Sequence, residues 1–504
     1  MKRDATIARN TGWNFAGTAL PMLVAIFTIP PLIHGLGVER FGVLTLAWTI
    51  TGYFALFDLG LGRATTKFVA EYIARGSLER LPQLAWSSLT AHAVLGLIGG
   101  TLLALLTPWL AGGFFNITPD LLPEVRATFY LLALSVPLVV VTACLRGLLE
   151  ALHRFDLVNF IRIPAGILNY AGPLLVLLYT NSLIAVVGLI VASRVVVLVV
   201  HAILALGQLP VSLGRYSFAT AMLRPLLGFG GWITVSSVIS PLIVFIDRFA
   251  IGALVSMSAV AYYATPYEVV TKLWIFSASL LAALFPVLSA LSVAPGPEIR
   301  ALYGRATRYL LVAVAPCVGF LLVFADDLLT LWLGAEFAQQ SAPLTRWLAV
   351  GVLINVVAQV PFTVLQGIGK AGAAARLQLA QLPFYALAIW YLTLSFGVVG
   401  AAMAWAARAA VDFLMLAWAA DRAMPGDRVK RGSLHAVIVG IALAGFWLTG
   451  TMFAGQLTFK LAVGGIFMAL LIFWEWILVL DTSDRASLLK AAGLMRATLR
   501  GQNK

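Results

Sequence analysis

The chain is predicted to be an all-α polytopic membrane protein of about 14 transmembrane helices: two pseudo-symmetric six-helix lobes, then two C-terminal helices. Three observations point there. Fourteen apolar segments are long enough to span a bilayer, which takes about 20 mostly apolar residues. The composition is 61% hydrophobic and only 11% charged, against about 25% charged in soluble proteins, so lipid must act as solvent for much of the surface. Finally, 26 of the 34 Lys and Arg residues fall in alternate gaps between apolar segments. That bias toward cytoplasmic loops fixes orientation.

In order, the spans are predicted at 10–34, 41–62, 82–110, 124–149, 157–179, 182–206, 224–250, 258–290, 304–324, 342–368, 374–396, 398–421, 433–453 and 459–480. The first carries a basic flank (Lys2, Arg3, Arg9) and is too long for a signal peptide. An even number of spans places both termini in the cytoplasm. Helices are required, because open strands in lipid would leave backbone groups unpaired. The gaps assigned to the outside hold only Arg40, Arg126, Arg346 and Lys460. One of them, 325–341, is acidic (Asp326, Asp327, Glu336), and its run Leu328 to Leu333 around Trp332 predicts a short helix at the outer interface.

The longest cytoplasmic link follows the sixth span. Four parts result: an N-terminal lobe at 1–206, a cytoplasmic linker at 207–223, a C-terminal lobe at 224–422, and two further helices with a basic cytoplasmic tail at 423–504. The lobes echo one another. Gly12-Trp13 precedes Pro21 in the first span, and Gly231-Trp232 precedes Pro241 in the seventh. Arg194 and Arg408 each follow a small-residue start, Val187-Gly188 and Val399-Gly400, in the sixth and twelfth. Internal repeats of this kind underlie alternating access in many transporters.

Several classes are excluded. A net charge of +13 spread over short loops, without a basic run interleaved with aromatics, reads as topology and not as nucleic-acid binding. Cys144 and Cys317 lie in apolar segments, so no structural disulfide is expected. His34, His92, His153, His201 and His435 are dispersed, and no metal site or other cofactor is expected. No phosphate-binding P-loop is present, which argues against ATP-driven transport by this chain alone.

A family resemblance rests on specific runs. Asn10-Thr11-Gly12-Trp13-Asn14, Leu36-Gly37-Val38-Glu39-Arg40-Phe41-Gly42 and above all Asp58-Leu59-Gly60-Leu61-Gly62-Arg63 resemble the opening of polysaccharide-transporter flippases. Arg224-Pro225-Leu226-Leu227-Gly228-Phe229-Gly230, Ile246-Asp247-Arg248-Phe249-Ala250-Ile251-Gly252 and Gly397-Val398-Val399-Gly400-Ala401-Ala402 are similar too. The resemblance covers most of residues 1–422. It implies a superfamily shared with multidrug and toxin extrusion (MATE) exporters and the lipid II flippase. It also implies an undecaprenyl-linked oligosaccharide as cargo, moved from the inner to the outer leaflet of the bacterial inner membrane by two rocking lobes.

Charges inside spans are costly and rarely face lipid, so they are the candidate functional residues. Arg194 and Arg408 are assigned to the substrate phosphate, since guanidinium matches phosphate oxygens bidentately and stays charged. Arg248 and Lys272 join them as cationic candidates. The competing reading caps or pairs each arginine within its own lobe; Arg408 and Asp412, four apart, could neutralise each other. Glu268, Asp247 and Asp412 are the carboxylates that would couple to a proton or sodium gradient, although Glu268 could simply pair with Lys272. Asp247 and Arg248 point about 100° apart on a helix, so one is expected at the cavity mouth and the other snorkelling. Asp58, Arg63 and Lys67 form an inner-gate candidate, against the plainer reading of a packed hinge with snorkelling cations.

Partners expected are the polyprenyl-linked glycan, the bilayer and polysaccharide polymerase or assembly proteins. The rival functions are a cation-coupled exporter of small drugs, whose cavity should favour carboxylates over arginines, and a membrane glycosyltransferase or ligase, which needs a larger outer loop.

Overall fold

A computed structural model describes residues 20–56, 61–210, 216–223, 245–291, 296–424 and 432–476. The described parts of the spans are helical, and no strand occurs among the described residues. Eight of these helices are long and apolar enough to cross a membrane. The chain forms two compact units, Met1–Ala261 and Tyr262–Lys504.

In the first unit, α1 (Leu20–Leu36) runs into α2 (Val38–Leu56) across Gly37, whose φ of +81° allows the turn without a loop. Then come α3 (Leu61–Ala74), α4 (Leu81–Trp109), α5 (Leu122–Ala151), α6 (Phe155–Leu177), α7 (Leu183–Gln208) and α8 (245–254). Glycines let α4 lie directly on α5. A Cβ at Gly96 would sit 2.6 Å from Pro137 Cα, and one at Gly100 2.7 Å from the Ala133 carbonyl oxygen. Close backbone approach of this kind is how helices associate in lipid, where burial adds little drive. Thr66 adds a hydrogen bond from α3 to the Gly147 carbonyl of α5 (3.1 Å).

The predicted linker is partly packed down. Ala219 N donates to the buried Ser87 Oγ of α4 at 3.0 Å, and the Tyr216 ring meets Trp86 edge-on.

The second unit takes up most of α9 (Met257–Val270), which a 3₁₀ turn at Thr271–Leu273 joins to α10 (Trp274–Leu291). Next is α11 (Glu298–Leu333). The expected interfacial helix at 328–333 is not separate: it is the last two turns of this 36-residue helix, which Gly334 ends at φ +90°. The helix continues because no Gly or Pro interrupts the run between Pro316 and Gly334 except Gly319.

After α12 (Ala335–Gly367), α13 (Ala371–Ala423) carries both the eleventh and twelfth spans. Its limbs reverse at one residue, Gly397 (φ 59°, ψ −143°), so that Gln381 faces Asp412 and Tyr385 faces Arg408. Finally α14 (Gly432–Met452) and α15 (Leu457–Trp474) pack on α11. A Cβ at Gly450 would lie 2.2 Å from the Leu322 carbonyl oxygen, and one at Gly319 2.7 Å from the Phe446 ring. The helices match the predicted spans in order. Helices α2 and α3 share the second and α9 with α10 forms the eighth; of the seventh only the C-terminal end, from residue 245, is described.

Candidate functional site

In the first unit, Arg194 lies on the inward stripe of α7. Val187, Ile190, Val191, His201 and Ala205 on that stripe are buried, whereas Val195, Val196, Val199 and Ile203 face outward. The helical period thus turns Arg194 away from lipid. Its Nε is buried, and no hydrogen bond or ion pair holds it among the described residues.

Arg248 and Asp247 on α8 are both buried, at 4% and 0% exposure. The expectation that one snorkels is therefore wrong. Arg248 reaches inward instead: Nη1 donates to Thr49 Oγ1 of α2 at 2.7 Å, and the guanidinium stands 5.5 Å from the Phe245 ring centroid. Its backbone N–H donates to Asp247 Oδ1 at 2.8 Å. A seam of contacts closes the C-terminal side of the pair. Asn116 N and Nδ2 donate to the Gly252 and Val255 carbonyls, and Phe115 stacks on Phe249.

Arg63 and Lys67 stand on the exposed face of α3, whose opposite face buries Leu61, Ala64 and Val69. Lys67 Nζ sits 5.2 Å from the Phe68 ring centroid. Asp58, their expected companion, lies outside the described residues, as do Gly12-Trp13 and Gly231-Trp232.

In the second unit, Glu268 and Lys272 pair at 3.3 Å, with side chains 47% and 44% exposed. Arg408 and Asp412 do not pair with each other among the described residues. Asp412 is buried and accepts from Gln381 Nε2 at 3.1 Å across the α13 hairpin. That leaves the Arg408 guanidinium over two rings, 5.3 Å from Tyr385 and 5.9 Å from Trp405. Trp405 is itself seated against Gly351 of α12 and meets Tyr267 edge-on. Arginine over aromatics keeps its donors available for an anion in the plane of the fork.

Two features escaped sequence reasoning. Beside α14, an apolar groove of about 770 Å³ is lined by residues that include Trp347, Ile354, Phe413, Leu443, Trp447 and Leu448. Helix contacts create it, so no local pattern announces it. Where the C-terminal end of α11 meets the N-terminal halves of α12 and α15, Arg346 bonds Asp326 and the Leu322 and Gly450 carbonyls, while Lys460 bonds Asp327. Here a signal existed: two cations in outer gaps beside an Asp-Asp pair. Arg40 behaves alike, bonding Glu124 at 2.8 Å. Among the described residues, no three His, Cys, Asp or Glu side chains converge as a metal would need.

Residues 7–292 match the model of a family described as polysaccharide biosynthesis protein. A Shigella flexneri protein named "Putative O-antigen transporter" is 28% identical over 413 residues, 82% of this chain and 97% of that protein. A Haloferax volcanii protein named "Probable low-salt glycan biosynthesis flippase Agl15" is 28% identical over 211 residues, 42% of this chain and 44% of its own length. Among solved structures, the lipid II flippase MurJ, inward closed, superposes with a TM-score of 0.66 at 14% identity. That match covers 92% of this chain and 98% of the other. An inward-facing multidrug resistance MATE family transporter of the MOP superfamily gives 0.65 at 17% identity, over 81% and 97%. At such identities the likeness speaks for the fold.

Proposed function

From the chain's membership of the polysaccharide biosynthesis protein family, we propose that it flips a lipid-linked oligosaccharide from the inner to the outer leaflet of a bacterial inner membrane. The chain is a multi-pass membrane transporter of polysaccharide biosynthesis and not an enzyme, as its named relatives are. The proposed cargo is an undecaprenyl-(pyro)phosphate glycan, carried by alternating access with both termini in the cytoplasm.

Arg194 carries the reading. It is an arginine on the inward stripe of an apolar helix, with no ion pair among the described residues. An uncompensated cation at membrane depth costs several kcal/mol or more, on the order expected for intramembrane arginine, unless an anion visits it. The phosphate of the cargo is that anion. Arg408, presented on Tyr385 and Trp405, is the second unit's own cation for a phosphate, and Arg248 in the first unit and Lys272 in the second are further cationic candidates. The apolar groove beside α14 offers the prenyl chain a lodging of matching chemistry. Arg63 and Lys67 would gather the headgroup at the inner face, and Glu268, Asp247 or Asp412 would couple transport to a proton or sodium gradient.

The test is flipping of a fluorescent polyprenyl-pyrophosphate saccharide in proteoliposomes. Well-folded Arg194→Ala and Arg408→Ala are expected to lose it. Normal flipping by both variants would make the arginines structural. A wild-type protein that leaves the lipid unmoved but exports a cationic dye would be a drug exporter.

A further inference from the structure

Of the polar atoms of the first unit that are buried without a hydrogen-bond partner among the described residues, three come from three different helices close to one another: Trp48 Nε1 on α2, Asn169 Oδ1 on α6 and Arg194 Nε on α7. A buried polar atom without a partner has lost its hydration with nothing in return, so such atoms are normally satisfied by something.

The three share one depth. Helices α6 and α7 are antiparallel neighbours, and a Cβ at Gly172 would lie 3.2 Å from Leu189 Cδ2, which sets their register. Counting from that contact, Arg194 lies opposite residue 167, two residues or about 3 Å along the axis from Asn169. Trp48 reaches the same level from α2, its ring 5.2 Å from that of Tyr170, the residue after Asn169. Asn169 also shares the inward face of α6. It is three residues from buried Gly172 and eleven from buried Val158, while exposed Phe160 lies on the opposite side.

The chemistry of the three groups differs in a useful way. Guanidinium wants an oxyanion. A carboxamide presents an acceptor beside a donor, which a hydroxyl matches and an ionised phosphate, having no donor, does not. The indole N–H donates only, and its ring edge with Tyr170 gives an apolar wall to a sugar face.

We propose that Trp48, Asn169 and Arg194 form one site for a glycosyl phosphate, in which Arg194 binds the phosphate and Asn169 and Trp48 bind hydroxyls of the first sugar. The inference rests on the flippase reading and goes further: it makes the first unit a reader of the sugar next to the phosphate. A prenyl phosphate without sugar would leave Asn169 and Trp48 unsatisfied and would be held less well.

Asn169→Cys in a Cys144→Ala, Cys317→Ala background, reconstituted in vesicles, tests this. Its rate of reaction with a membrane-permeant maleimide is measured without added lipid, with polyprenyl diphosphate, and with polyprenyl diphosphate disaccharide. Slowing of threefold or more by the disaccharide lipid alone is expected. Equal slowing by both lipids would overturn the sugar contact. No slowing by either, in vesicles that still flip the disaccharide lipid, would overturn the site and leave the flippase reading standing. Vesicles of the wild-type protein that flip neither lipid would remove that reading and the site together. Independently, Trp48→Phe keeps the ring and deletes the donor. It should raise KM for the disaccharide lipid three- to tenfold with kcat unchanged, whereas lowered kcat or thermal stability at constant KM would mark a structural role.

Discussion

Lys460 is fully buried, and its Nζ lies 2.6 Å from Asp327 Oδ2 and 3.6 Å from Asp326 Oδ2. Asp326 also binds Arg346, which is 4% exposed and bonds the Leu322 and Gly450 carbonyls. Four charges therefore tie α11, α12, α14 and α15 together at one end of the second unit. The two C-terminal helices are built into that unit and are not a loose anchor.

Stranding a fully buried charge costs about 3–5 kcal/mol; the carboxylates that Lys460 neutralises are 33% and 30% exposed, so losing it costs only part of that. Lys460→Met should accordingly lower the melting temperature of the detergent-solubilised protein by several degrees. Adding Asp327→Asn to it should recover part of the loss, since the stranded carboxylate is then gone. A double variant as unstable as the sum of the two single ones would mean the pair is not coupled.

Close packing beside this cluster gives a contrast within one helix. A Cβ at Gly450 would meet the Leu322 carbonyl oxygen at 2.2 Å, while one at Gly440 meets nothing within 4 Å. Gly450→Ala should push α14 off α11 and destabilise the protein by an amount typical of overpacking, about 1–3 kcal/mol. Gly440→Ala should be neutral or slightly stabilising, because alanine favours helix. Melting curves of the two variants compared with wild type decide it.

These relationships show what sequence could and could not reveal. Span order and helix type were legible because apolar length and the alternation of Lys and Arg are one-dimensional signals. Arg194 was legible as a charge inside an apolar span, but its inward phase on α7 was not, because a count of residues gives depth and leaves helix rotation open. The Arg408–Asp412 pairing was not decided by spacing, because the partner that wins, Gln381, comes from the other limb of a hairpin. Asp247 and Arg248 were misjudged for a similar reason. Thr49, nearly two hundred residues away, supplies the hydrogen bond that holds Arg248 inside. The run at 328–333 looked interfacial by its tryptophan, but nothing there ends the helix before Gly334.

Gly397 reverses α13 alone, at φ 59° and ψ −143°, a region that costs other residues about 1–3 kcal/mol. Gly397→Ala should lower thermal stability by that order while leaving helical circular dichroism unchanged, since both limbs remain helical. The hairpin register should suffer too. Cysteines placed at Gln381 and Asp412, which face each other in the wild-type chain, should cross-link less readily in the variant. Unchanged cross-linking and melting would show that the reversal tolerates a Cβ.

Glu268 and Lys272 allow coupling to be separated from folding. Both side chains are nearly half exposed, and exposed ion pairs contribute only about 0–1 kcal/mol. Glu268→Gln should therefore melt within a degree or two of wild type, so any change in transport reports on function. If Glu268 senses a cation gradient, flipping by Glu268→Gln should no longer respond to an imposed proton or sodium gradient, while flipping at zero gradient persists. A gradient response equal to wild type would move coupling elsewhere. Asp412→Asn is then the next variant, and its melting temperature must be read beside its transport, because Asp412 is buried and accepts the Gln381 hydrogen bond that closes the hairpin.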